Sequence, residues 1–296
     1  MVIAVDFAYT KPATLEDAVL SLSEHGPGAR LLAGGTDLVP WMRDDVVIPE
    51  LVVDLKAIPG LDEITRRDGT LHLGSLVTLT DLLSSPVVHD DFPILTEMAH
   101  TFASTGVRNR ATVVGNLCSA VPSCDVGPAA LVYDAVLHVV GPEGARDVAI
   151  IDWFVGPKAT VLEHVEIVTG VTFTQPPDEH AGAFVKLARY RGEDLAQASV
   201  AVLLGPDGTN RVAFGAVGPT PHRAFLIEGL LEREPLGDDV IHQAKALVVD
   251  EISPITDLRA TAQYREHMCR VMLERALRAA AARLSGNGPP CPTLFV

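Results

Sequence analysis

The sequence predicts an α+β chain built from unlike parts, and three observations predict it. Residues 1–57 alternate strand, helix and strand signals, which is α/β grammar. Residues 180–284 instead give three antiparallel strands followed by three helices. Between these stretches, Gln175-Pro176-Pro177-Asp178 carries the breaker signals of a domain boundary. The organisation expected is a two-lobed domain over 1–177, with subdomains 1–57 and 58–177. A C-terminal α+β domain over 178–285 follows, with a three-stranded antiparallel sheet and helices. Residues 286–296 read as a loose tail.

In the first lobe, Pro12-Ala13-Thr14-Leu15-Glu16-Asp17 opens a helix. Thr14 is its cap and Asp17 its third helical residue. Leu15, Ala18, Val19 and Leu22 then share one helical face, and Gly26-Pro27-Gly28 stops the helix. A strand through Leu31 and Leu32 runs into Gly34-Gly35, a short helix spans Leu38 to Met42, and Leu51 to Leu55 is a buried strand.

In the second lobe, Leu71 to Gly74 is a strand after the turn at Arg67-Asp68-Gly69. Thr78 to Leu83 and Pro93 to Phe102 read as helices, with Leu95, Met98 and Phe102 at helical spacing on the second. Residues 112–116 read as a glycine loop, and Pro128 to Tyr133 as a further short helix. A hairpin joins Ala135–Val140 to Ala145–Ile151 around Gly141-Pro142-Glu143-Gly144, and Val165 to Phe173 is a strand. In the C-terminal part, the strands are Ala183–Arg191, Ser199–Leu204 and Arg211–Val217, and the helices cover about 222–232, 238–251 and 260–284.

Composition removes several classes of function. The formal net charge is −15 and no run of Lys or Arg stands out, which disfavours nucleic acid as a partner. No charged leader with an apolar core opens the chain, and no apolar run reaches the ~18 residues of a spanning helix. Cytoplasmic localisation and free thiols are expected for Cys118, Cys124, Cys269 and Cys291. Cys118 and Cys124 are close, but a cluster needs further grouped thiolates, which the spacing does not supply. His89-Asp90-Asp91 lacks a second histidine at ligand spacing, so no metal site is expected. No Gly-x-Ser-x-Gly elbow and no Gly-x-Gly-x-x-Gly fingerprint is present.

The most informative stretch is Arg30-Leu31-Leu32-Ala33-Gly34-Gly35-Thr36-Asp37-Leu38. A Gly-Gly pair takes positive φ readily and lets a ligand approach the backbone. Amide groups of such a turn form an anion-binding concavity. A second stretch, Thr112-Val113-Val114-Gly115-Asn116, is followed by Ser119 and Asp125. Together the two stretches resemble the FAD-binding medium subunit of the molybdenum hydroxylases, of the carbon monoxide dehydrogenase and xanthine dehydrogenase kind. Phe184-Val185-Lys186 with Asp194-Leu195-Ala196, Gly218 to Arg223 with Glu228, and Asp257-Leu258-Arg259 with Tyr264-Arg265 extend the resemblance over about residues 6–284.

This resemblance implies a two-lobed FAD-binding domain of the vanillyl-alcohol-oxidase type and a set of cofactor contacts. The run from Arg30 to Asp37 would meet the pyrophosphate; Thr112, Val114, Gly115, Asn116 and Ser119 belong to the second loop. At Val114 the family has glycine. Either the backbone there is ordinary extended chain, where valine fits, or the loop is displaced and meets the cofactor less closely. Asp125 is implied as an acceptor for a ribityl or ring group, against a solvated loop aspartate. Phe102 is either a ring-packing aromatic or part of the helical core. Val168 is implied to touch the ring through its backbone. Lys186 is implied beside the polar end of the flavin ring, against a strand lysine that snorkels to solvent.

The resemblance also implies two partners: a small subunit with 2Fe-2S clusters and a large subunit with molybdopterin, arranged as a dimer of heterotrimers. Electrons would reach this chain's FAD from the clusters and leave to an external acceptor. No residue of this chain would be catalytic. The alternatives are a self-sufficient flavin reductase of related fold and a scaffold that has lost FAD, with Val114 as the lesion.

Overall fold

The computed structural model describes residue 3 and residues 5–174, 179–190 and 194–293. The expected boundary at 175–178 and the end of the tail, 294–296, lie outside the described residues.

The first lobe contains β1 (Ala8–Thr10), α1 (Leu15–His25), β2 (Ala29–Leu32), α2 (Leu38–Arg43) and β3 (Leu51–Asp54). Its sheet is parallel, in the order β1-β3-β2. Thr14 caps α1 as expected: its hydroxyl accepts the Asp17 N–H at 3.1 Å. Ala18 and Leu22 are buried against Ala29, Leu51 and Val53.

The second lobe begins with β4 (Ile64–Arg67) and β5 (Thr70–Gly74). Helices α3 (Leu79–Ser84), α4 (Pro86–Asp91), α5 (Pro93–Thr101), α6 (Thr105–Arg108), α7 (Val113–Ser119) and α8 (Val126–Val132) follow. The chain returns through β6 (Val136–Gly141), β7 (Gly144–Ala149), the small pair β8 (Phe154–Gly156) and β9 (Ala159–Thr160), and β10 (Ile167–Thr174). The resulting sheet, β4-β5-β10-β6-β7, is antiparallel throughout. Leu71, Leu73, Leu137, Val139, Val171 and Phe173 alternate onto its inner face and pack under the helices.

The C-terminal part places β11 (Ala181–Leu187), β12 (Ala198–Leu204), β13 (Asn210–Gly215) and β14 (His222–Arg223) in one antiparallel sheet in that order. Helices α9 (Phe225–Arg233), α10 (Asp238–Glu251) and α11 (Ala262–Leu284) follow. Every residue of β12 is buried, because both faces of the sheet are covered. Val200 and Val202 pack toward the helices of their own domain, whereas Ala201, Leu203, Phe184 and Ala213 join the core of the second lobe.

Several expectations change. The stretch 112–116 is not a loop: Thr112 caps α7 and Val113 to Asn116 form its first turn. The three expected C-terminal strands gain a fourth, β14, since His222 and Arg223 pair with β13; the following helix therefore starts at Phe225. Strand β11 ends at Leu187, short of the expected Arg191, which lies outside the described residues. The tail is docked up to Thr293. Arg283 donates to the Pro289 carbonyl at 3.0 Å, and the Thr293 N–H reaches Glu97 Oε1 at 2.9 Å. His89-Asp90-Asp91 closes α4: His89 meets Asp90, and Asp91 pairs with Arg66 at 2.8 Å. Among the described residues, no helix is long and apolar enough to cross a membrane.

Glu97 of α5 is fully buried and joins the second lobe to the C-terminal part. Its carboxylate pairs with Arg283 of α11 at 2.5 Å and accepts the Phe184 N–H of β11 at 2.8 Å. Removing one partner of such a pair leaves a buried charge uncompensated. Arg283→Met is expected to lower stability by about 3 kcal/mol in denaturant unfolding. Adding Glu97→Gln to it should recover part of that loss, because the neutral amide still accepts the Phe184 N–H. Equal stability of wild type and Arg283→Met would contradict this account of the seam.

Candidate functional site

A cavity of about 550 Å³ opens where the two lobes and the C-terminal part meet. Its wall takes Asp37 and Trp41 from the first lobe, Thr112, Asn116 and Val168 from the second, and Lys186 from β11. All the residues implied as cofactor contacts line it except Leu32, whose side chain instead packs beside Gly35.

The turn after β2 carries Ala33 to Asp37 into α2. Gly35 sits at φ +78°, a left-handed conformation that suits glycine. Gly34 has a different constraint. A Cβ there would lie 1.9 Å from the Arg110 carbonyl oxygen. Glycine at 34 thus lets the backbone of 110–111 lie directly against the turn, and this contact brings the two motif stretches together. Among the described residues, no acceptor takes the amide hydrogens of Gly34 through Leu38. The Ala33 carbonyl is held by Lys56 Nζ at 3.1 Å, and Lys56 pairs with Asp54 at 2.7 Å. Arg30 turns away from this row: its guanidinium donates to the Pro27 and Ala29 carbonyls at 2.6 and 2.7 Å.

The second stretch supports the cavity through its own hydrogen bonds. Thr112 Oγ1 accepts the Gly115 N–H at 3.0 Å. Val114 lies in the helical first turn with negative φ, so valine is accommodated there without backbone strain. The position needs neither an extended backbone nor a displaced loop. The Asn116 side-chain Oδ1 accepts from the Val126 N–H and the Cys124 thiol, both at 3.1 Å. Asn116 therefore anchors the segment that carries Asp125. The Ser119 hydroxyl donates to the Asn116 backbone carbonyl at 3.1 Å.

Lys186 and Asp125 form the electrostatic centre of the cavity. Lys186 Nζ lies 2.7 Å from Asp125 Oδ2 and also donates to the Thr101 carbonyl at 3.2 Å. Their side chains are 4% and 7% exposed, so the lysine does not snorkel and the aspartate is not solvated. Burial pushes the Asp125 carboxyl up from its ordinary value, and the Lys186 ammonium opposes that shift. Asp125 Oδ1 is buried with no hydrogen-bond partner. Phe102 follows α5 as its C-cap, lines the cavity and packs on the core of the second lobe.

Three cavity features were missed in the sequence. Trp41 on α2 and Lys158 in the β8–β9 turn meet across the wall, with Nζ 5.1 Å from the ring centroid. Their contact crosses from one lobe to the other, and no local signal announces it. Asp194 holds the segment before β12 by accepting the Arg189 N–H at 2.8 Å, and it lines the cavity with Leu195. Ser75, just past β5, lines the cavity as well. Cys118 also lines it, but burial pushes its thiol up to about 12, which keeps it protonated.

Residues 5–176 match the family model described as the FAD binding domain in molybdopterin dehydrogenase. Residues 183–280 match the one described as the CO dehydrogenase flavoprotein C-terminal domain. The chain belongs to this family of FAD-binding subunits of molybdopterin dehydrogenases, which are parts of oxidoreductase complexes. It is 34% identical to the carbon monoxide dehydrogenase medium chain of Afipia carboxidovorans, over 94% of this chain and 97% of that one. It is 33% identical to the xanthine dehydrogenase FAD-binding subunit of Escherichia coli O157:H7, over 95% and 99% of the two chains. Among solved structures, the carbon monoxide dehydrogenase of Hydrogenophaga pseudoflava lacking the Mo-pyranopterin moiety superimposes with a TM-score of 0.92. That match has 33% identity and covers 96% of this chain and 99% of the other.

The contact at Gly34 generates a test. Gly34→Ala is expected to destabilise the FAD-free chain by about 1–3 kcal/mol, because backbone at Arg110 must move. Gly35→Ala should cost about 1–2 kcal/mol through its left-handed conformation alone. An FAD-free Gly34→Ala chain as stable as wild type would show that this glycine serves only ligand approach.

Proposed function

We propose that the chain binds FAD in this cavity as the flavoprotein subunit of a molybdenum hydroxylase. In this reading it passes electrons from 2Fe-2S clusters of a small partner subunit to an external acceptor. A large partner subunit carries molybdopterin and oxidises the substrate. The complex is cytoplasmic and a dimer of heterotrimers. Residues 1–177 form the FAD-binding domain and residues 178–285 the C-terminal flavoprotein domain.

The residues present fit the cofactor. The carrying observation is the row of unaccepted amides at Gly34 to Leu38, on the same cavity as the buried Asp125–Lys186 pair. Backbone amides in a turn suit a pyrophosphate. Asp125 Oδ1, buried without a partner, is an acceptor awaiting a donor. Val114, Val168 and Phe102 give apolar wall for a flat ring system. When bound, FAD supplies reversible exchange of one or two electrons. The protein holds the ring, excludes water from one side and sets the local charge. Lys186 places a cation at the wall, and Asp125 both positions and partly neutralises it.

Opposite charges in one buried pair give opposite effects on a bound redox group. Lys186→Met is expected to lower the midpoint potential of bound FAD, and Asp125→Asn to raise it. An interaction of about 1.4 kcal/mol corresponds to about 30 mV for a two-electron couple. Spectroelectrochemical titration of both variants would show it. Two unshifted potentials would remove the pair from the neighbourhood of the ring.

A further inference from the structure

Trp41 and Lys158 meet where the cavity reaches solvent. Both line it, yet Lys158 is exposed and Trp41 half-buried, so the pair lies on the rim. Trp41 belongs to α2 of the first lobe, and Lys158 to the turn between β8 and β9 of the second. The ammonium sits 5.1 Å from the centre of the indole ring. Among the described residues, no carboxylate pairs with it. Both backbones are fixed. The Trp41 carbonyl accepts the Val46 and Val47 N–H groups at 2.8 and 3.2 Å, and the Lys158 N–H donates to the Ala120 carbonyl at 2.8 Å. Lys158 and Ala120 both hold left-handed backbones, at φ +58° and +47°, which residues with a Cβ adopt at a cost. Such strain persists where the surrounding structure enforces it. Here it sets a lysine at the opening, against the end of α7.

The contact does little to hold the lobes together. They are already joined by the Gly34 turn against Arg110 and by Ile167 in the first-lobe core. An exposed cation–π contact is weak, and exposed side chains change rotamer quickly, without movement of the backbone. Such a contact suits opening and closing. We propose that Trp41 and Lys158 form a clasp over the rim, which slows both the entry and the exit of a cofactor held inside. On the FAD-binding reading, on which this inference rests, that cofactor is FAD. The clasp forms between protein groups alone, so it closes on the empty and the filled cavity alike. An exposed contact of this strength keeps the closed form in excess by roughly two- to fivefold. Entry and exit then run only from the open fraction. Releasing the clasp should raise both rates about three- to sixfold and leave the affinity unchanged.

The test uses the purified full chain, stripped of flavin, as wild type, Trp41→Leu, Lys158→Met and Lys158→Arg. Stopped-flow flavin fluorescence gives the rates of FAD uptake and release. Both rates should rise together in Trp41→Leu and Lys158→Met, while Lys158→Arg, which keeps a cation for the ring, stays as wild type. Unchanged rates would overturn the clasp. Faster release alone, with weaker binding, would also overturn it, by making the pair a direct contact of the cofactor. So would a clear fall in the thermal unfolding midpoint of the flavin-free variants, which would make the pair a staple of the fold. A second measurement needs no cofactor. The chain has two tryptophans and Trp153 is fully buried, so the rim contact is read in the indole emission of the flavin-free chain. Lys158→Met should change that emission, and identical spectra for it and wild type would overturn the clasp. A wild-type chain that takes up no FAD would instead overturn the FAD-binding reading, with the emission still deciding the contact.

Discussion

The fold depends on how the free edge of β11 is satisfied. This strand lies at one end of the C-terminal sheet, and among the described residues its outer N–H and C=O groups have no neighbouring strand. Buried backbone groups of that kind need partners. A carboxylate and a guanidinium supply two of them: Glu97 accepts the Phe184 N–H, Arg283 donates to the Gly182 carbonyl, and the two side chains pair with each other. The charged pair stands in for a missing strand. Because Glu97 belongs to α5 and Arg283 to α11, the same contact fixes the C-terminal domain against the second lobe.

The candidate cavity follows from that docking. Lys186 lies two residues along β11 from Phe184, so an edge held at Phe184 delivers the lysine to the seam beside Asp125. The other side of the cavity is fixed by a closer contact still, the backbone of Gly34 against Arg110. Both constraints act between segments far apart in the chain. Burial of paired charges is not a strong source of stability, since desolvation offsets the attraction. Its effect here is on geometry: a misdocked domain would leave Glu97 and Asp125 buried and unpaired.

The local features of the fold were legible in the sequence. Thr14 with Asp17 marks a helix start that the structure reproduces, and the helix read over Thr78 to Leu83 is present as Leu79–Ser84, behind a full capping box of Thr78 and Asp81. The strand read at Leu71 to Gly74 is present, and its Leu71 and Leu73 lie in the core. What escaped was set by short elements or distant partners. Residues 112–116 read as a glycine loop, yet Thr112 closes a cap on Gly115 N–H and starts a helix. Strand β14 is only two residues long and exists by pairing with β13. The tail reads as loose because the acceptor for Thr293 is almost two hundred residues away, a separation of 196.

The candidate site shows the same division. The motif residues were identified by their resemblance, and they gather on one cavity. Their individual physical roles were less visible. Gly34 serves backbone packing, Asn116 anchors the segment bearing Asp125, and Asp125 itself is paired with Lys186 across 61 residues of sequence. The central claim is that this single chain holds a complete FAD site without its partner subunits. Calorimetric titration of the isolated, flavin-free chain with FAD tests it most directly. The account predicts saturable binding of one FAD per chain, with flavin absorbance bands retained after gel filtration. Absence of binding to a folded chain would contradict it.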